Sequence, residues 1–583
     1  MDWRDRFRAG VVRSASRALR RPDRGVVVAD HEGNDEAYAW DVERGTLRKV
    51  SDSGTAVLEA AIRPDGESIV YHRDITGSEF GHLHEVPFDG GSSTDLTPDV
   101  TEYATYGLHV ADDVVVAGMA ADDEQSLLIV RHGSAIVVAM PAAVMDLRLA
   151  PDGSRVAVAE AMDGLYGRTI LRATTDGSEI DRLDYSWPGG IHGERVAMAV
   201  HRDGWLRPAI WTPGRGVEAI DVDLPGDVRA VDWSVDGSRM LLTQWYRASG
   251  SLASYDLRSG ALSPLASPGG APAEWLAAEL HGDAATAVWS DAQHPWSVWE
   301  VDGADVRRLL TVSASNEFPG AEWENVEFAS ADGTPIQGWL LRPPGTGPWP
   351  TILHGHGGPT GAFAPWFSPY SQAWVDNGFA FLTVNYRGST TFGDDYREAL
   401  TRHIGEVDVA DMMAGHAWLI SSGIADPIRI IVNGYSYGGY LALQCPALHP
   451  SAFAAAIAGA PVADWLLSKE DQNAFLDAYD RALFGAEGPE SDALKRGASP
   501  RTYVERYDAP VLITTPSEDT RTPLRPIQAF VDDMRGAGKP VRLQLLDGGH
   551  AGVGADQDIA MMESWLEFAD DILRKASGRI GRA

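Results

Sequence analysis

The first half of the chain alternates short apolar runs with polar turns, the pattern of β-strands joined by hairpins. Between about residues 25 and 312, runs of Val, Ile, Leu, Trp and Tyr are broken by Gly, Asp and Pro. Asp-Gly pairs at 65–66, 152–153 and 236–237 indicate tight turns, because glycine tolerates the positive φ that such turns require. Successive pairs lie 87 and 84 residues apart, which is two steps of about 43 residues each time.

A second signature repeats at the same interval and sets the number of units. Two strands joined by a short turn are predicted in each of seven segments: 38–47, 83–96, 127–137, 169–180, 209–217, 253–262 and 298–306. A repeat of 40 to 45 residues with about four strands is typical of a β-propeller blade. We therefore predict a seven-bladed β-propeller over residues 25–315. Six or eight blades, or an irregular sandwich of separate hairpins, are the alternatives.

The pattern changes after about residue 320. Apolar runs at 351–353, 379–384, 428–432 and 511–514 alternate with helical stretches such as 407–421, 441–447 and 559–575. Strands that alternate with helices of 10 to 15 residues indicate βαβ units and a mainly parallel sheet. Residues 316–583 are therefore predicted to form a doubly wound α/β domain.

The first 24 residues differ from both halves. They contain eight Arg and three Asp, and Trp3, Phe7, Val11, Ala15 and Leu19 fall on one helical stripe. We predict an amphipathic helix over residues 1–24 that packs on the C-terminal domain, with membrane or partner binding as the alternative.

Composition narrows the class of partner and the compartment. A net charge of −34 argues against nucleic acid, which attracts basic surfaces. The chain has no run of about 18 apolar residues, so no membrane span is predicted. The N-terminus lacks the pattern of a signal peptide. A single cysteine, Cys445, allows no intrachain disulfide. These features favour a cytoplasmic location.

The strongest chemical signal is a Gly-x-Ser-x-Gly motif at residues 434–438. An apolar strand precedes it and a helical pattern follows it. In this arrangement a sharp turn exposes the serine oxygen above the sheet, so Ser436 is the predicted nucleophile.

A serine nucleophile needs a base and an acid, which follow it in the chain order typical of this arrangement. His550 is the last histidine and stands in a Gly-rich loop, whereas His449 lies only 13 residues after the serine. His550 is therefore the predicted base. Glu518 and Asp519 both suit the acid, and Asp547 is a weaker rival.

Attack of a serine on a carbonyl group places negative charge on the carbonyl oxygen, and two backbone N–H groups are expected to stabilise this oxyanion. The first is predicted to be that of Tyr437, directly after the nucleophile. The second is predicted to come from the Gly-rich loop at 354–359, where Gly358 is the candidate.

These segments resemble the prolyl oligopeptidase family of serine peptidases, most of all its acylaminoacyl-peptidase branch. The matching segments are 356–359, 385–389, 434–440, 459–462, 519–523 and 549–550. The resemblance implies an α/β-hydrolase domain preceded by a β-propeller. It also implies that Asp519 is the acid, because the family's acid precedes x-Arg-x-Pro.

The chain also departs from the family, at positions in the loops that bring the acid and the base to the site. Thr515-Pro516 stands where the family usually has His-Gly, and Gly548 where Glu is frequent. The propeller half lacks the Glu-Glu pair of the dipeptidyl-peptidase branch. Glu79, in a segment similar to one that reaches the active site in relatives, is a candidate to pair with a substrate ammonium, with a solvated loop glutamate as the alternative. Arg387 is the second candidate for substrate binding.

The sequence thus predicts a serine peptidase that hydrolyses short peptides, or N-acylated or aminoacyl amides, with no metal and no organic cofactor. A small-molecule amidase or esterase that acts on a peptide-like metabolite is the alternative among enzymes. A binding protein with an inert hydrolase domain is the alternative from another class. The sequence predicts no particular oligomeric state.

Overall fold

The chain divides into two compact units, one formed by Ala9–Glu317 and the other by Met1–Arg8 together with Phe318–Ala583. The structure is a computed structural model. It describes residues 2–31, 34–52, 56–75, 80–121, 124–162, 166–273, 278–313, 315, 317–471, 474–485, 487–550 and 554–580.

The first unit is a seven-bladed β-propeller. Within its described residues there are seven antiparallel sheets, each built from consecutive strands. The first four blades comprise β1 (Val11–Ala18), β2 (Arg21–Asp30), β3 (Asp35–Asp41), β4 (Thr46–Lys49), β5 (Ala60–Ile62), β6 (Ser68–Arg73), β7 (His82–Pro87), β8 (Thr94–Asp95), β9 (Ala104–Val110), β10 (Val114–Ala121), β11 (Glu124–Arg131), β12 (Ser134–Met140), β13 (Val144–Leu149), β14 (Arg155–Ala161), β15 (Gly167–Ala173) and β16 (Glu179–Asp184).

The last three blades complete the ring. They comprise β17 (Ser186–His192), β18 (Arg195–Arg202), β19 (Trp205–Thr212), β20 (Gly216–Ala219), β21 (Asp227–Trp233), β22 (Arg239–Tyr246), β23 (Ser249–Asp256), β24 (Leu262–Pro264), β25 (Ala271–Pro272), β26 (Ala278–His281), β27 (Ala284–Ser290), β28 (Ser297–Asp302) and β29 (Asp305–Leu310). The seven predicted hairpins are the last two strands of the seven blades, so the propeller prediction is confirmed.

Apolar packing between neighbouring blades holds the ring together. Each pair of adjacent blades shares one apolar cluster, seven in all among the described residues. The cluster that joins the last blade to the first includes Val12, Trp40, Val288 and Val298. Each sheet thereby buries both faces, which a single blade cannot do alone.

The predicted helix over residues 1–24 was wrong. Trp3–Arg6 forms one turn of 3₁₀ helix, and Val11–Ala18 is the first strand of the propeller. That strand pairs with β2, and it buries Val12 and Ala18 in the packing between blades. Tertiary pairing therefore overrides the helical spacing, because a helix here would leave the first blade one strand short.

The short N-terminal turn belongs to the second unit and is anchored there by burial and charge. Phe7 is buried in the second unit's core and contacts Tyr370, with ring centroids 4.8 Å apart. The buried guanidinium of Arg6 pairs with Asp376, with 2.7 Å between Nε and Oδ2. Within the first 24 residues, residues 2–8 therefore pack on the C-terminal unit, and the residues from Ala9 onward belong to the propeller unit.

The second unit is built on one sheet of eight strands. They are β30 (Glu324–Ala329), β31 (Pro335–Leu341), β32 (Trp349–Gly355), β33 (Ala380–Asn385), β34 (Ala425–Tyr435), β35 (Ala455–Gly459), β36 (Val511–Pro516) and β37 (Val541–Leu546). Their order is β30-β31-β33-β32-β34-β35-β36-β37, and all pairs from β33 to β37 are parallel. The predicted α/β-hydrolase domain is therefore confirmed.

Helices connect the parallel strands and cover the sheet. They are α1 (Pro369–Asp376), α2 (Asp394–Glu398), α3 (Val407–Ser421), α4 (Tyr437–Leu448), α5 (Trp465–Ser468), α6 (Ala474–Phe484), α7 (Pro489–Ala498), α8 (Leu524–Gly536) and α9 (Ala555–Ile580), with a 3₁₀ segment at Pro500–Arg506. In the part of the chain that the structure describes, no helix has the length and apolar character needed to cross a bilayer.

Candidate active site

The predicted nucleophile lies at the sharp turn between β34 and α4. Ser436 adopts φ 60° and ψ −121°, a conformation that costs energy for a residue with a side chain. A Cβ on Gly434 or Gly438 would overlap backbone atoms of the opposing segment, which explains why the motif needs glycine on both sides. The strand and helix can therefore approach closely enough to hold the serine at the carboxyl edge of the sheet.

The three predicted catalytic side chains form one hydrogen-bonded line. The distance from Ser436 Oγ to His550 Nε2 is 3.1 Å, and His550 Nδ1 is 2.7 Å from Asp519 Oδ2. The three residues follow β34, β37 and β36 respectively, and parallel strands bring their carboxyl ends to one edge. The carboxylate holds the proton on Nδ1, so Nε2 is free to accept the serine proton.

The structure also decides which acid faces the histidine. Asp519 is buried, whereas its rivals Glu518 and Asp547 are exposed. Asp519 Oδ1 accepts hydrogen bonds from the backbone N–H groups of Arg521 and Thr522, at 2.8 and 2.9 Å. Residue type and position alone left three acids open, the motif resemblance implied Asp519, and the fold brings Asp519 to His550.

Asp519 remains ionised despite its burial. Desolvation raises its pKa, but hydrogen bonds from His550 and Thr522 and the charge of His550 outweigh that effect and hold the pKa below its usual range. An ionised carboxylate is the form that stabilises an imidazolium during proton transfer.

Two residues that sequence reasoning missed support the histidine and the acid. The Tyr435 hydroxyl donates to the backbone carbonyl of His550 at 3.1 Å. Thr522 Oγ1 donates to Asp519 Oδ2 at 2.8 Å. Both residues belong to segments of the motifs already noted, and their position next to catalytic residues was the available signal.

The Gly-rich loop after β32 lies beside the nucleophile. A Cβ built on Gly357 would stand 3.7 Å from the Cβ of Ser436. Gly358 has φ +125°, a conformation that L residues with side chains rarely adopt. Glycine is therefore needed for this loop to turn next to Ser436, at the place expected for the second oxyanion donor.

Hydrogen bonds from two side chains, those of Asn385 and Tyr479, hold the segment that directly follows this loop. Asn385 Oδ1 accepts from the backbone N–H of Phe363 at 2.8 Å, and Asn385 Nδ2 donates to the Phe363 carbonyl at 3.0 Å. Tyr479, on α6, contacts Thr360 through its hydroxyl. The conformation of this segment thus depends on partners that are distant in sequence.

The two residues predicted to bind substrate have different outcomes. Arg387 is buried and donates to Asp411 through Nε and Nη2, the latter at 2.7 Å, while Nη1 reaches Asp332. These contacts give Arg387 partners within the protein itself, and its contact with substrate stays a prediction. Glu79 lies outside the described residues.

The fold and the triad geometry define a class of protein, an α/β-hydrolase with a Ser–His–Asp triad that is joined to a β-propeller. The family model described as "Prolyl oligopeptidase family" matches residues 365–576, which include the whole triad. Residues 365–576 are thus similar to the prolyl oligopeptidase family, as the resemblance of the motifs implied.

An individual relative shows a similarity over about half of the chain. The acylamino-acid-releasing enzyme of Rattus norvegicus is 25% identical over 338 residues, which cover 54% of this chain and 46% of that protein. The chain thus matches about half the length of this relative.

Two solved structures share the fold over nearly the whole chain. A puromycin-hydrolyzing peptidase of Mycobacterium tuberculosis has a TM-score of 0.85 at 19% identity, covering 98% of this chain and 96% of that one. An acylaminoacyl peptidase of Pyrococcus horikoshii has a TM-score of 0.75 at 18% identity, covering 98% and 97%.

Proposed function

We propose that this chain is a serine hydrolase that cleaves short peptides, or N-acylated or aminoacyl amides, through an acyl-enzyme on Ser436. The observation that carries the proposal is the line from Ser436 Oγ to His550 to Asp519, with distances of 3.1 and 2.7 Å. The first distance is short enough for direct proton transfer from serine to histidine, and the second is short enough for the carboxylate to orient the imidazole.

The geometry supports a two-stage reaction. Ser436 Oγ attacks the carbonyl carbon while His550 Nε2 takes the hydroxyl proton, and the carbonyl electron pair moves onto oxygen. When the C–N bond breaks, His550 returns that proton to the leaving amine. Water then attacks the ester carbonyl while His550 takes its proton. When the bond between the acyl carbon and Ser436 Oγ breaks, His550 returns that proton to Ser436 Oγ and the acid product is released.

The oxyanion formed in both stages needs preorganised donors. We assign this role to the backbone N–H groups of Tyr437 and Gly358. Support comes from the position of Tyr437 directly after the nucleophile and from the approach of the adjacent Gly357 to Ser436. Loss of one such donor costs about 3 kcal/mol of transition-state stabilisation.

Labelling with a fluorophosphonate probe tests the proposal most directly. We expect one mole of probe per mole of protein, abolished in Ser436→Ala and unchanged in Ser421→Ala, an exposed serine on α3. Absence of labelling in the folded wild type would support the inert binding protein instead.

The substrate class needs a second experiment. A panel of aminoacyl, N-acetyl-aminoacyl and acyl ester chromogenic substrates separates the peptidase from the esterase. Turnover of simple esters alone would overturn the peptidase proposal.

The amidase alternative has its own support in the fold neighbour that is named as puromycin-hydrolyzing. Puromycin contains an aminoacyl amide bond, so it belongs in the same panel. Turnover of puromycin in preference to dipeptides and tripeptides would favour a role on peptide-like metabolites. The cytoplasmic location and the lack of a nucleic acid partner remain predictions from the sequence.

A further inference from the structure

A fully buried carboxylate lies behind the nucleophile turn and takes no part in the triad. Asp408 stands in the first turn of α3 and is 0% exposed. Its Oδ1 accepts from the backbone N–H groups of Gly405 and Val409 at 2.8 and 2.9 Å. Its Oδ2 accepts from the Tyr437 hydroxyl at 2.7 Å. One oxygen thus anchors the carboxylate in its own segment, and the other holds the side chain of an oxyanion-hole residue.

The Tyr437 ring continues this connection to the other side of the site. It stacks on Tyr386 with centroids 5.9 Å apart and an interplanar angle of 23°. Tyr386 in turn stacks on His356 at 4.4 Å and 13°. The Tyr386 hydroxyl donates to the backbone carbonyl of His356 at 2.9 Å. A buried column therefore runs from Asp408 through Tyr437 and Tyr386 to His356.

The two ends of this column carry the two segments of the oxyanion hole. Tyr437 supplies one N–H group itself, and His356 immediately precedes the glycine pair that includes Gly358. Oxyanion stabilisation depends on donors held at 2.7–3.1 Å from the developing charge, so a shift of either segment lowers the rate. Rigid stacking and a short charge-assisted hydrogen bond are suited to hold that spacing.

We propose that Asp408 is a positioning residue, which fixes the backbone N–H of Tyr437 in the oxyanion hole by holding the Tyr437 hydroxyl. The proposal rests on the proposed function, since it requires that Tyr437 be an oxyanion donor. Because Asp408 is buried, it acts through Tyr437 and does not touch substrate.

The energetics favour a functional reason for this carboxylate. Burial raises the pKa of Asp408 to about 6, although hydrogen bonds from Tyr437, Val409 and Gly405 oppose the rise. A buried carboxylate is costly for folding, and an apolar side chain of similar size would often be tolerated better. A precise position for Tyr437 is a benefit that an apolar group could not supply.

The test compares three tyrosine and aspartate variants with a matched control. Tyr437→Phe removes the hydroxyl alone, Asp408→Asn removes the charge, and the double variant removes both. Tyr440→Phe is the control, because Tyr440 is a buried tyrosine on the same helix whose hydroxyl has no hydrogen-bond partner among the described residues. The concentration of active sites is set by the final extent of fluorophosphonate labelling, and folding is checked by thermal unfolding.

We expect Tyr437→Phe and Asp408→Asn each to lower kcat by about 10- to 100-fold, with KM within twofold of wild type. The inhibition constant of phenylethylboronic acid should rise by the same factor. The boron gains a bond to Ser436 Oγ, whose proton passes to His550, and one of the two hydroxyls that the boron already carries then occupies the oxyanion hole. The double variant should lose no more than the stronger single variant, since both remove one interaction. Tyr440→Phe should stay within twofold.

Several results would overturn the proposal. These are changes below threefold in both kcat and boronate affinity for Tyr437→Phe, additive losses in the double variant, or equal losses in Tyr440→Phe. If Asp408→Asn does not fold, Tyr437→Phe decides alone. An active wild type with unaffected variants would sink this inference only, whereas an unlabelled and inactive wild type would sink the proposed function as well.

Discussion

The propeller and the hydrolase unit use β-structure in opposite ways. Each propeller sheet is made from consecutive strands, so its hydrogen bonds join segments that are close in sequence. In the hydrolase sheet, strand β32 lies between β33 and β34, and crossovers bring distant segments together. His550 and Ser436 are 114 positions apart, yet they share a hydrogen bond. The propeller thus repeats one local arrangement of strands, whereas the crossovers of the hydrolase unit bring the candidate catalytic residues together.

The largest expected effect is the loss of the nucleophile. Ser436→Ala should lower kcat/KM by about 10⁴- to 10⁶-fold, because covalent catalysis disappears and the remaining site offers only binding and oxyanion stabilisation. Steady-state kinetics on the best substrate of the panel measures this. Residual activity above a tenth of wild type would show that the chemistry lies elsewhere.

Next in size is the loss of the acid. Asp519→Asn should lower kcat by about 10⁴-fold, because an amide favours the wrong tautomer of His550. Glu518→Gln is the matched control and should stay within twofold, since that side chain is exposed. Equal losses in the two variants would contradict the assignment of the acid.

Breaking the buried ion pair of Arg387 should affect folding more than chemistry. Arg387→Met leaves Asp411 without its charged partner and should lower the free energy of unfolding by about 3–5 kcal/mol. Arg342→Met, which removes a partly exposed pair with Glu324, should cost less than about 1 kcal/mol. Chemical denaturation measures both. A large rise in KM for Arg387→Met at unchanged stability would instead support a role in substrate binding.

A propeller change should likewise appear in stability. Trp40 is 0% exposed and packs where the last blade meets the first. Trp40→Ala should cost about 3–5 kcal/mol through the cavity that it leaves, whereas Val137→Ala, at an exposed position on β12, should cost less than about 0.5 kcal/mol. Unfolding curves give the cost, and kcat per labelled active site should be unchanged at a temperature where the variant is folded. A fall in that kcat would argue against the view that the propeller is a scaffold and that the hydrolase unit alone carries the catalytic residues.

The smallest expected effect is a pH dependence that distinguishes two buried carboxylates of the hydrolase unit. The folded-state pKa of Asp408 is raised to about 6, so the wild type binds this proton more tightly when folded. Its stability therefore falls, relative to Asp408→Asn, as the pH rises from about 4 to above 6, by at most about 3 kcal/mol. For Asp519 the lowered pKa has the opposite sign, and its contribution is lost only as the pH falls below about 4. Thermal unfolding at pH 4.5 and 7.5 checks the first sign, and a difference that does not change with pH would contradict it.

Several elements could be predicted because their signals are local. The hairpins of the propeller depend on Asp-Gly turns, and the nucleophile turn depends on glycines that flank Ser436. The error at residues 1–24 has the opposite origin. Val11 and Ala15 fit a helical stripe, but pairing with β2 decides their conformation. Arg387 illustrates the same limit, since its carboxylate partners lie 24 and 55 positions away.

The amino-acid sequence by itself determined the two-unit organisation, the number of blades, and the order of nucleophile, acid and base, because turn chemistry and periodicity are carried by neighbouring residues. Only the tertiary structure decided that Arg387 pairs with Asp411 and Asp332, and that Asp408 holds Tyr437. It also brings Asp519, the acid that the motif resemblance favoured, to His550. These contacts join residues that are far apart along the chain, and the crossovers and burial that bring them together leave no local pattern.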